Sequence, residues 1–227
     1  MAKASPTFFI LNNLQNMEVL EKIHLTDQQI EHIEAGISVT IPATEDEFLE
    51  FAFETPYRVE FLEDKIIIMG LARFLHELMV GYFISLFTTY YKTKVGYYVA
   101  GSNVGINMRG TKKYLNPDAV VLKGLPTFKG KSESIITNPH LVVEVFSPST
   151  RGYDLDIKLN LYLKIESLQF LVFVDIDEKV VMIYQRSNDG KSWLYTHYDL
   201  PEETVNIDGC KVVLHEIFDS LPNLEQL

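Results

Sequence analysis

Residues 141–158 of the chain read LVVEVFSPSTRGYDLDIK, and this stretch decides both the fold and the candidate site. Its first six residues form an apolar, strand-like run that carries one carboxylate, Glu144. Burying a lone carboxylate is costly unless it is paired with a cation or binds a metal. The alternative is an acid at a strand end that reaches solvent. The pattern predicts a strand with Glu144 as a candidate functional acid.

A second apolar run, AVVL at 119–122, is entered through Asn116-Pro117-Asp118. Two strands with an acid near one end, followed by a segment that bears Lys158, supply two oxygen ligands and a cation. Mg²⁺ takes one or two carboxylates together with substrate phosphate, and a lysine can stabilise developing charge. Each residue taken singly is as well explained by solvent exposure. Together, they suit phosphodiester hydrolysis.

The composition is that of one soluble globular domain. The chain has 227 residues, of which 47% are hydrophobic and 22% are charged. A formal charge of −11 argues against a protein that coats nucleic acid, although it allows a locally basic cleft.

The cysteine content and the apolar stretches indicate the compartment. Cys210 is the only cysteine, so no intrachain disulfide can form, and we expect a cytoplasmic protein. No signal peptide is recognisable at the start of the chain. Residues 71–91, the most apolar helical stretch, contain Arg73, His76 and Glu77, so we expect no membrane association.

Local signals predict most of the secondary structure. Capping boxes that begin at Thr26 and Thr44 predict two helices, the first ending at Gly36. A hairpin should turn at Glu63-Asp64. The other predicted elements are a helix over 71–91, strands near 95–100, 104–108, 114–122, 193–198 and 212–214, a flexible loop at 123–139, a hairpin of 170–176 with 180–185, and a short final helix.

Residues 154–165 give conflicting signals. Every second residue from Leu155 to Ile165 is apolar, which by periodicity favours a strand. The residue types, mainly leucine, lysine and aspartate, favour a helix, and a capping loop precedes them. In a helix, Asp154 and Lys158 lie one turn apart on the same side. We favour the helix.

Further polar residues are candidates for supporting roles. Glu60 lies in the first strand of the predicted hairpin, and His76 lies beside the apolar stripe of the long helix. Both are more often ordinary boundary residues. Of the basic residues between 109 and 131, Lys112 and Lys113 lie nearer to Asp118 than the lysines of the following loop, so they are the better candidates for phosphate contacts.

The run from Pro117-Asp118 through EVFSPSTR at 144–151 to Asp154, Lys158 and Tyr162 resembles the Uma-two family of restriction endonucleases, a branch of the PD-(D/E)xK nuclease superfamily. The resemblance covers roughly residues 44–220. It implies an α+β, restriction-endonuclease-like fold: a mixed β-sheet flanked by helices, with an N-terminal helical extension and extra β-hairpins. We expect residues 1–43 to form the extension and residues 44–227 the nuclease domain.

The resemblance also implies roles. Asp118 and Glu144 would bind Mg²⁺ or Mn²⁺, and Lys158 would be the catalytic lysine. Many superfamily members carry that lysine two residues after the second acid, where this chain has Phe146, so Lys158 fits a lysine that has migrated to the next helix. DNA is the expected substrate, and a homodimer is an assembly to test. Supporting residues would be Glu60, His76 and Asp154 around the metal ligands, with Lys112, Lys113 and Arg151 as phosphate contacts.

Two other functions compete with a nuclease. A binding or regulatory module that keeps the fold without turnover is favoured by the acidic net charge and by the absence of a DNA-reading motif. The Asp118, Glu144 and Lys158 set opposes it. A zinc hydrolase has little support, because the six histidines form no His-x-His or His-x-x-x-His pair.

Overall fold

The computed structural model describes residues 23–147, 150–219 and 221–222. Within them the chain forms two six-stranded sheets, a separate two-stranded hairpin and flanking helices. The fold is a mixed α+β fold, as the sequence predicts. Pro148 and Ser149, and the N-terminal stretch before Ile23 that shows no clear period, lie outside the described residues.

The first sheet is built around the predicted hairpin. Its strand order is β1-β3-β2-β6-β5-β8, and only the β5–β8 pair is parallel. Helices α1 (Asp27–Glu34) and α2 (Glu45–Glu54) begin at the predicted capping boxes, and apolar side chains from both pack in one core with this sheet. The strands are β1 (Val39–Pro42), β2 (Val59–Leu62), β3 (Lys65–Ile68), β5 (Gly105–Asn107), β6 (Tyr114–Leu115) and β8 (Ile135–Ile136).

The turn between β2 and β3 confirms the hairpin prediction. Glu63 and Asp64 have positive φ angles of 52° and 55°. Two consecutive residues in the left-handed region are typical of a type I′ turn, whose twist matches that of the strands.

The second sheet carries the stretch around Glu144. Its order is β12-β11-β10-β9-β7-β4, and only the β9–β10 pair is parallel. The strands are β4 (Tyr97–Gly101), β7 (Ala119–Lys123), β9 (Pro139–Val145), β10 (Phe170–Asp175), β11 (Val180–Arg186) and β12 (Trp193–Tyr198). Helix α3 (Phe74–Tyr91) packs with Leu141, Val143 and Val145 in one core. Val142 and Phe146 belong to a second core that also contains side chains of the first sheet.

Residues 151–162 are helical, so the helix prediction for this segment is confirmed. Helix α4 starts with the turn Arg151–Tyr153, continues as a π-helical turn Asp154–Lys158 and ends with Leu159–Tyr162. A π turn inserted in a helix is often found at a functional site.

Some boundaries differ from the predictions. The strand predicted at 114–122 is two strands, β6 and β7, separated by Asn116–Asp118, because Pro117 has no N–H for a ladder. Residues 71–73 precede α3, and the 123–139 loop contains the short β8. The prediction for 212–214 missed the hairpin of β13 (Thr204–Ile207) and β14 (Cys210–Val213), which leads into α5 (Leu214–Asp219).

β1, which precedes residue 44, pairs with β3 in the first sheet. The division of the chain into an extension, residues 1–43, and a nuclease domain, residues 44–227, stays a prediction. No helix among the described residues has both the length and the apolar character to span a bilayer.

Candidate active site

Four carboxylates are buried around one lysine. Glu60 comes from β2, Asp118 from the residue before β7, Glu144 from β9 and Asp154 from α4. Their exposed fractions are 0%, 2%, 2% and 3%, and that of Lys158 is 1%. The structure therefore brings together the three residues predicted for catalysis and, with His76 beside Asp118, all three of those predicted to support them.

Lys158 contacts three of these carboxylates. Its Nζ lies 2.6 Å from Oε1 of Glu144, 3.1 Å from Oε1 of Glu60 and 3.4 Å from Oδ1 of Asp154. An ammonium has three N–H donors, so the three carboxylates match its full capacity. The positive charge of Lys158 is thus directed into the site.

Asp118 is held by protein donors at both oxygens. Oδ1 lies 2.7 Å from Nη1 of Arg58, while Oδ2 accepts a 2.7 Å hydrogen bond from the amide of Val145. Nε2 of His76 lies 3.3 Å from the same Oδ2. The amide bond from β9 places Asp118 beside the strand that carries Glu144.

Arg58 is the site residue that the sequence analysis missed. Its Nη2 also donates to the carbonyl oxygen of Asn116, at 2.8 Å. A signal was available, because Arg58 lies two residues before Glu60 and side chains two apart in a strand share a face. Without the tertiary contact with Asp118, however, nothing in the sequence separates Arg58 from a surface arginine.

Glu144 is contacted at one oxygen only. Oε1 accepts a hydrogen bond from the Tyr162 hydroxyl at 2.5 Å, in addition to the Lys158 contact. Among the described residues, no hydrogen bond reaches Oε2. Asp154, Lys158 and Tyr162 are spaced by four residues along α4, and all three side chains reach the site.

Both carboxylate oxygens of Glu60 accept hydrogen bonds from the protein. Oε1 accepts the amide hydrogen of Asn116 at 3.0 Å, and Oε2 accepts the hydroxyl hydrogen of Tyr153 at 2.7 Å. With Lys158 also at Oε1, Glu60 serves to hold neighbouring groups in place.

The electrostatics of the site reflect an excess of negative charge. Burial raises the pKa of Glu144, and the neighbouring carboxylates raise it further, although Lys158 opposes both. Burial likewise raises the pKa of Asp154. For Asp118 burial acts in the same direction, but Arg58 and His76 outweigh it and hold the pKa of Asp118 below its usual range. Four carboxylates thus face two permanent cations, Arg58 and Lys158.

These groups border a cavity of about 720 Å³. Its wall includes Asp118, Glu144, Asp154, Lys158 and His76, together with residues 34–38 and 69–73. The cavity is large enough for a nucleotide-sized ligand.

The predicted phosphate contacts lie elsewhere. Lys112 is exposed and does not border this cavity, and Lys113 borders a neighbouring one. Nε of Arg151 lies 3.0 Å from Oδ2 of Asp175, and Arg151 does not border this cavity. Their role toward phosphate stays a prediction.

The carboxylates of the site fit a cation such as Mg²⁺ or Mn²⁺, which needs few protein ligands, better than a metal that is coordinated by protein side chains alone. No group of three or more His, Cys, Asp or Glu side chains within the described ranges is arranged to hold a metal. Mg²⁺ needs only one or two carboxylates, with water and phosphate completing its shell. Oε2 of Glu144 and the carboxylate of Asp118 could supply these ligands, and the excess of buried negative charge favours a cation.

The sequence profile of the Uma2 family, described as "putative restriction endonuclease", matches residues 45–214. The chain belongs to the Uma2 family. The match runs from α2 to β14 and includes the buried site residues from Arg58 to Tyr162, whereas residues 34–38 of the cavity wall precede it. By its description, Uma2 is a family of nucleases.

Two curated relatives come from Synechocystis sp. The uncharacterized protein sll1609 is 32% identical over 100 residues, which are 44% of this chain and 56% of that protein. The uncharacterized protein slr1290 is 35% identical over 100 residues, 44% of this chain and 51% of that protein. The matches thus span about half the length of these relatives.

A solved structure shares the fold. It is titled as a putative nuclease belonging to DUF820, from Anabaena variabilis, and superposes with a TM-score of 0.65 at 20% identity. The match covers 79% of this chain and 99% of that one.

Proposed function

We propose that the protein is a Mg²⁺- or Mn²⁺-dependent endonuclease that hydrolyses DNA phosphodiester bonds at the cavity around Asp118, Glu144 and Lys158. The observation that carries this proposal is the burial of four carboxylates around one lysine, with three of them, Asp118, Glu144 and Asp154, bordering the same cavity as Lys158. Buried charge of this kind is costly, and natural proteins keep such clusters mainly where function requires them.

In this proposal Asp118 and Glu144 hold the cation, with help from a main-chain carbonyl near Val145. A divalent cation bound here would offset the negative charge and lower the pKa of a coordinated water. Arg58 and the Val145 amide fix the orientation of Asp118, and Tyr162 fixes that of Glu144.

Lys158 stabilises negative charge that develops on the phosphate. Its three donors are matched by three carboxylates, so a donor becomes available to the substrate only when one carboxylate gives up its contact. Of the three, Glu144 is the one proposed to exchange Lys158 for the cation.

A second function, the catalytically silent module, is favoured by a specific observation. Both oxygens of Asp118 already have protein partners, and Lys158 already forms ion pairs with three carboxylates. A network this complete can stand alone as a structural core of a binding or regulatory protein.

Cleavage of plasmid and single-stranded DNA, with Mg²⁺, Mn²⁺ or EDTA, separates the two functions. Wild type should cut at least one substrate with a divalent metal and none with EDTA. Asp118→Asn, Glu144→Gln and Lys158→Met should each remove most of the rate, because such residues act as a unit. Asp156→Asn, which changes an exposed acid of α4, is the matched control and should cut as wild type does.

Calorimetric titration of Mn²⁺ locates the cation. Asp118→Asn and Glu144→Gln should weaken binding, whereas Asp156→Asn should not. If wild type binds no metal and cuts neither substrate, the silent module is the better account. If the three site variants cut as wild type does, the activity lies elsewhere in the chain.

A further inference from the structure

Three permanently charged cations border the cavity that contains Asp118: Arg58, Arg73 and Lys158. Two of them are engaged, because Arg58 contacts Asp118 and the carbonyl oxygen of Asn116, and Lys158 forms ion pairs with three carboxylates. Arg73 is exposed, and its side chain forms no hydrogen bond or ion pair within the part of the chain that the structure describes. Its guanidinium is therefore available to a ligand.

The charge of the cavity wall explains why a substrate needs such a cation. Asp118, Glu144 and Asp154 border the same cavity, so a phosphate that enters it meets carboxylates of its own sign. The basic residues that the sequence predicted as phosphate contacts do not border this cavity. Arg73 is the arginine of this wall that can compensate the charge of a phosphate without first giving up a carboxylate.

The backbone around Arg73 is anchored, although the side chain is not. The amide of Leu71 donates to the carbonyl oxygen of Ile33 at 2.9 Å, and the carbonyl oxygen of Arg73 accepts the amide hydrogen of Glu77 at 3.1 Å. These bonds fix the place from which the side chain extends. Binding of a phosphate then costs the freedom of one side chain and requires no ordering of the loop.

Arg73 also lies close to the proposed cation site. His76 follows three residues later in α3, and its Nε2 lies 3.3 Å from Oδ2 of Asp118. Three residues span about one turn of a helix, so Arg73 is about one turn away from the residue that contacts Asp118. A phosphate bound at Arg73 would lie beside the cation held by Asp118 and Glu144.

We infer that Arg73 binds a backbone phosphate of the DNA substrate in this cavity. The inference rests on the proposed nuclease function and adds a substrate-binding residue to it. A guanidinium presents parallel N–H donors that match two phosphate oxygens. Because Arg73 stands apart from the cluster of Asp118, Glu144 and Lys158, it should hold the substrate equally before and during the reaction, and so act on KM more than on kcat.

The first test measures binding of fluorescein-labelled single-stranded DNA in EDTA, by anisotropy at several NaCl concentrations. The slope of log affinity against log salt counts the phosphates that the protein neutralises. Arg73→Gln should lower the affinity about tenfold and reduce the slope by about 0.7. Arg73→Lys keeps the charge but loses the paired donors, so it should retain the wild-type slope with an intermediate affinity.

Arg109→Gln is the matched control. Arg109 is also exposed, and it borders neither this cavity nor the neighbouring one that contains Lys113. This variant should bind DNA with the wild-type affinity and slope. Both arginines are exposed, so all the variants should have the wild-type urea midpoint, which separates lost binding from lost folding.

The second test is cleavage of single-stranded DNA with Mn²⁺. Arg73→Gln should raise KM about tenfold with little change in kcat. Equal salt slopes and equal KM values for Arg73→Gln and Arg109→Gln would overturn the inference while leaving the nuclease proposal intact. Wild type that binds no DNA in EDTA would overturn it as well. Failure of the nuclease proposal looks different: wild type would cut no DNA, whereas the reduced slope of Arg73→Gln would still locate a phosphate site.

Discussion

Nζ of Lys158 lies 2.6 Å from Oε1 of Glu144, and both side chains are at most 3% exposed. A buried pair of this kind is weak evidence for stability, because desolvation of two charges offsets most of their attraction. Removing one partner is nevertheless strongly destabilising, since it leaves the other charge buried alone. The pair therefore makes both the stability and the proposed activity of the protein sensitive to the same residues.

Lys158→Met should lower the free energy of unfolding by about 3–5 kcal/mol in EDTA, measured by urea denaturation. The reason is that Glu60, Glu144 and Asp154 lose their shared cation. The double variant Lys158→Met/Glu144→Gln should recover part of that loss, because one of the stranded charges is removed. Lys112→Met, at an exposed lysine, should stay within about 0.5 kcal/mol of wild type. If Lys158→Met were as stable as Lys112→Met, Lys158 would not be stabilising the buried carboxylates.

Arg58→Met should lower the stability of the protein in the absence of metal. It should also increase the stabilisation that an added divalent metal gives. Asp118 loses the guanidinium at 2.7 Å, so its charge is uncompensated, and a divalent cation can replace the missing charge. Binding to the folded state raises its stability. The increase in melting temperature on adding Mn²⁺ should therefore be larger in Arg58→Met than in wild type. An equal or smaller increase would argue that Asp118 is not a cation ligand.

Asp208, in the turn between β13 and β14, should make stability depend on pH at acid values. Burial favours its neutral form, but hydrogen bonds from His140 and Tyr91 and the charge of Lys94 outweigh burial and lower the pKa of Asp208. A lowered pKa means that Asp208 stabilises the fold above its unfolded pKa of about 3.9, and that this contribution is lost as pH falls through the folded value.

Tyr91→Phe removes the 2.7 Å hydrogen bond to the Asp208 carboxylate. It should destabilise the protein by about 1 kcal/mol near neutral pH, and by less once the pH falls below the lowered pKa of Asp208, where the carboxylate is neutral. Tyr90→Phe is the matched control, because Tyr90 donates to the backbone carbonyl of Asp208. Its effect in denaturant titrations should not change with pH. A pH-independent effect of Tyr91→Phe would refute this assignment.

Gly70→Ala should disturb the wall of the proposed active site. A Cβ at Gly70 would lie 2.2 Å from the carbonyl carbon of Gly36, so the two backbone segments must separate. We expect a loss of stability of about 1–3 kcal/mol by denaturant titration, together with weaker DNA cleavage. Gly81→Ala, in the exposed interior of α3 where a Cβ meets nothing within 4 Å, should instead stabilise by up to about 1 kcal/mol. Similar effects of both changes would contradict the close approach.

The sequence by itself determined the elements whose signals are local. Both capping boxes, the left-handed turn at Glu63-Asp64 and the apolar run around Glu144 depend only on neighbours in the chain, so their positions could be predicted. The sequence also singled out Asp118, Glu144 and Lys158, since a carboxylate in an apolar run and a motif shared with a nuclease family are visible without coordinates.

The tertiary structure decided what depends on distant residues. The alternation in 154–165 could not be resolved by periodicity, because apolar residues do not mark the buried face: the structure buries the polar Asp154 and Lys158, whereas Ile157 is 45% exposed. The role of Arg58 depends on a contact with Asp118, 60 residues away, and strand order brings them together. The same holds for the contacts of Glu60 and Glu144 with Lys158, whereas Asp154 lies one helical turn from Lys158. The mutual burial of these groups, and the charge excess that follows from it, arises only when the two sheets and α4 pack against one another.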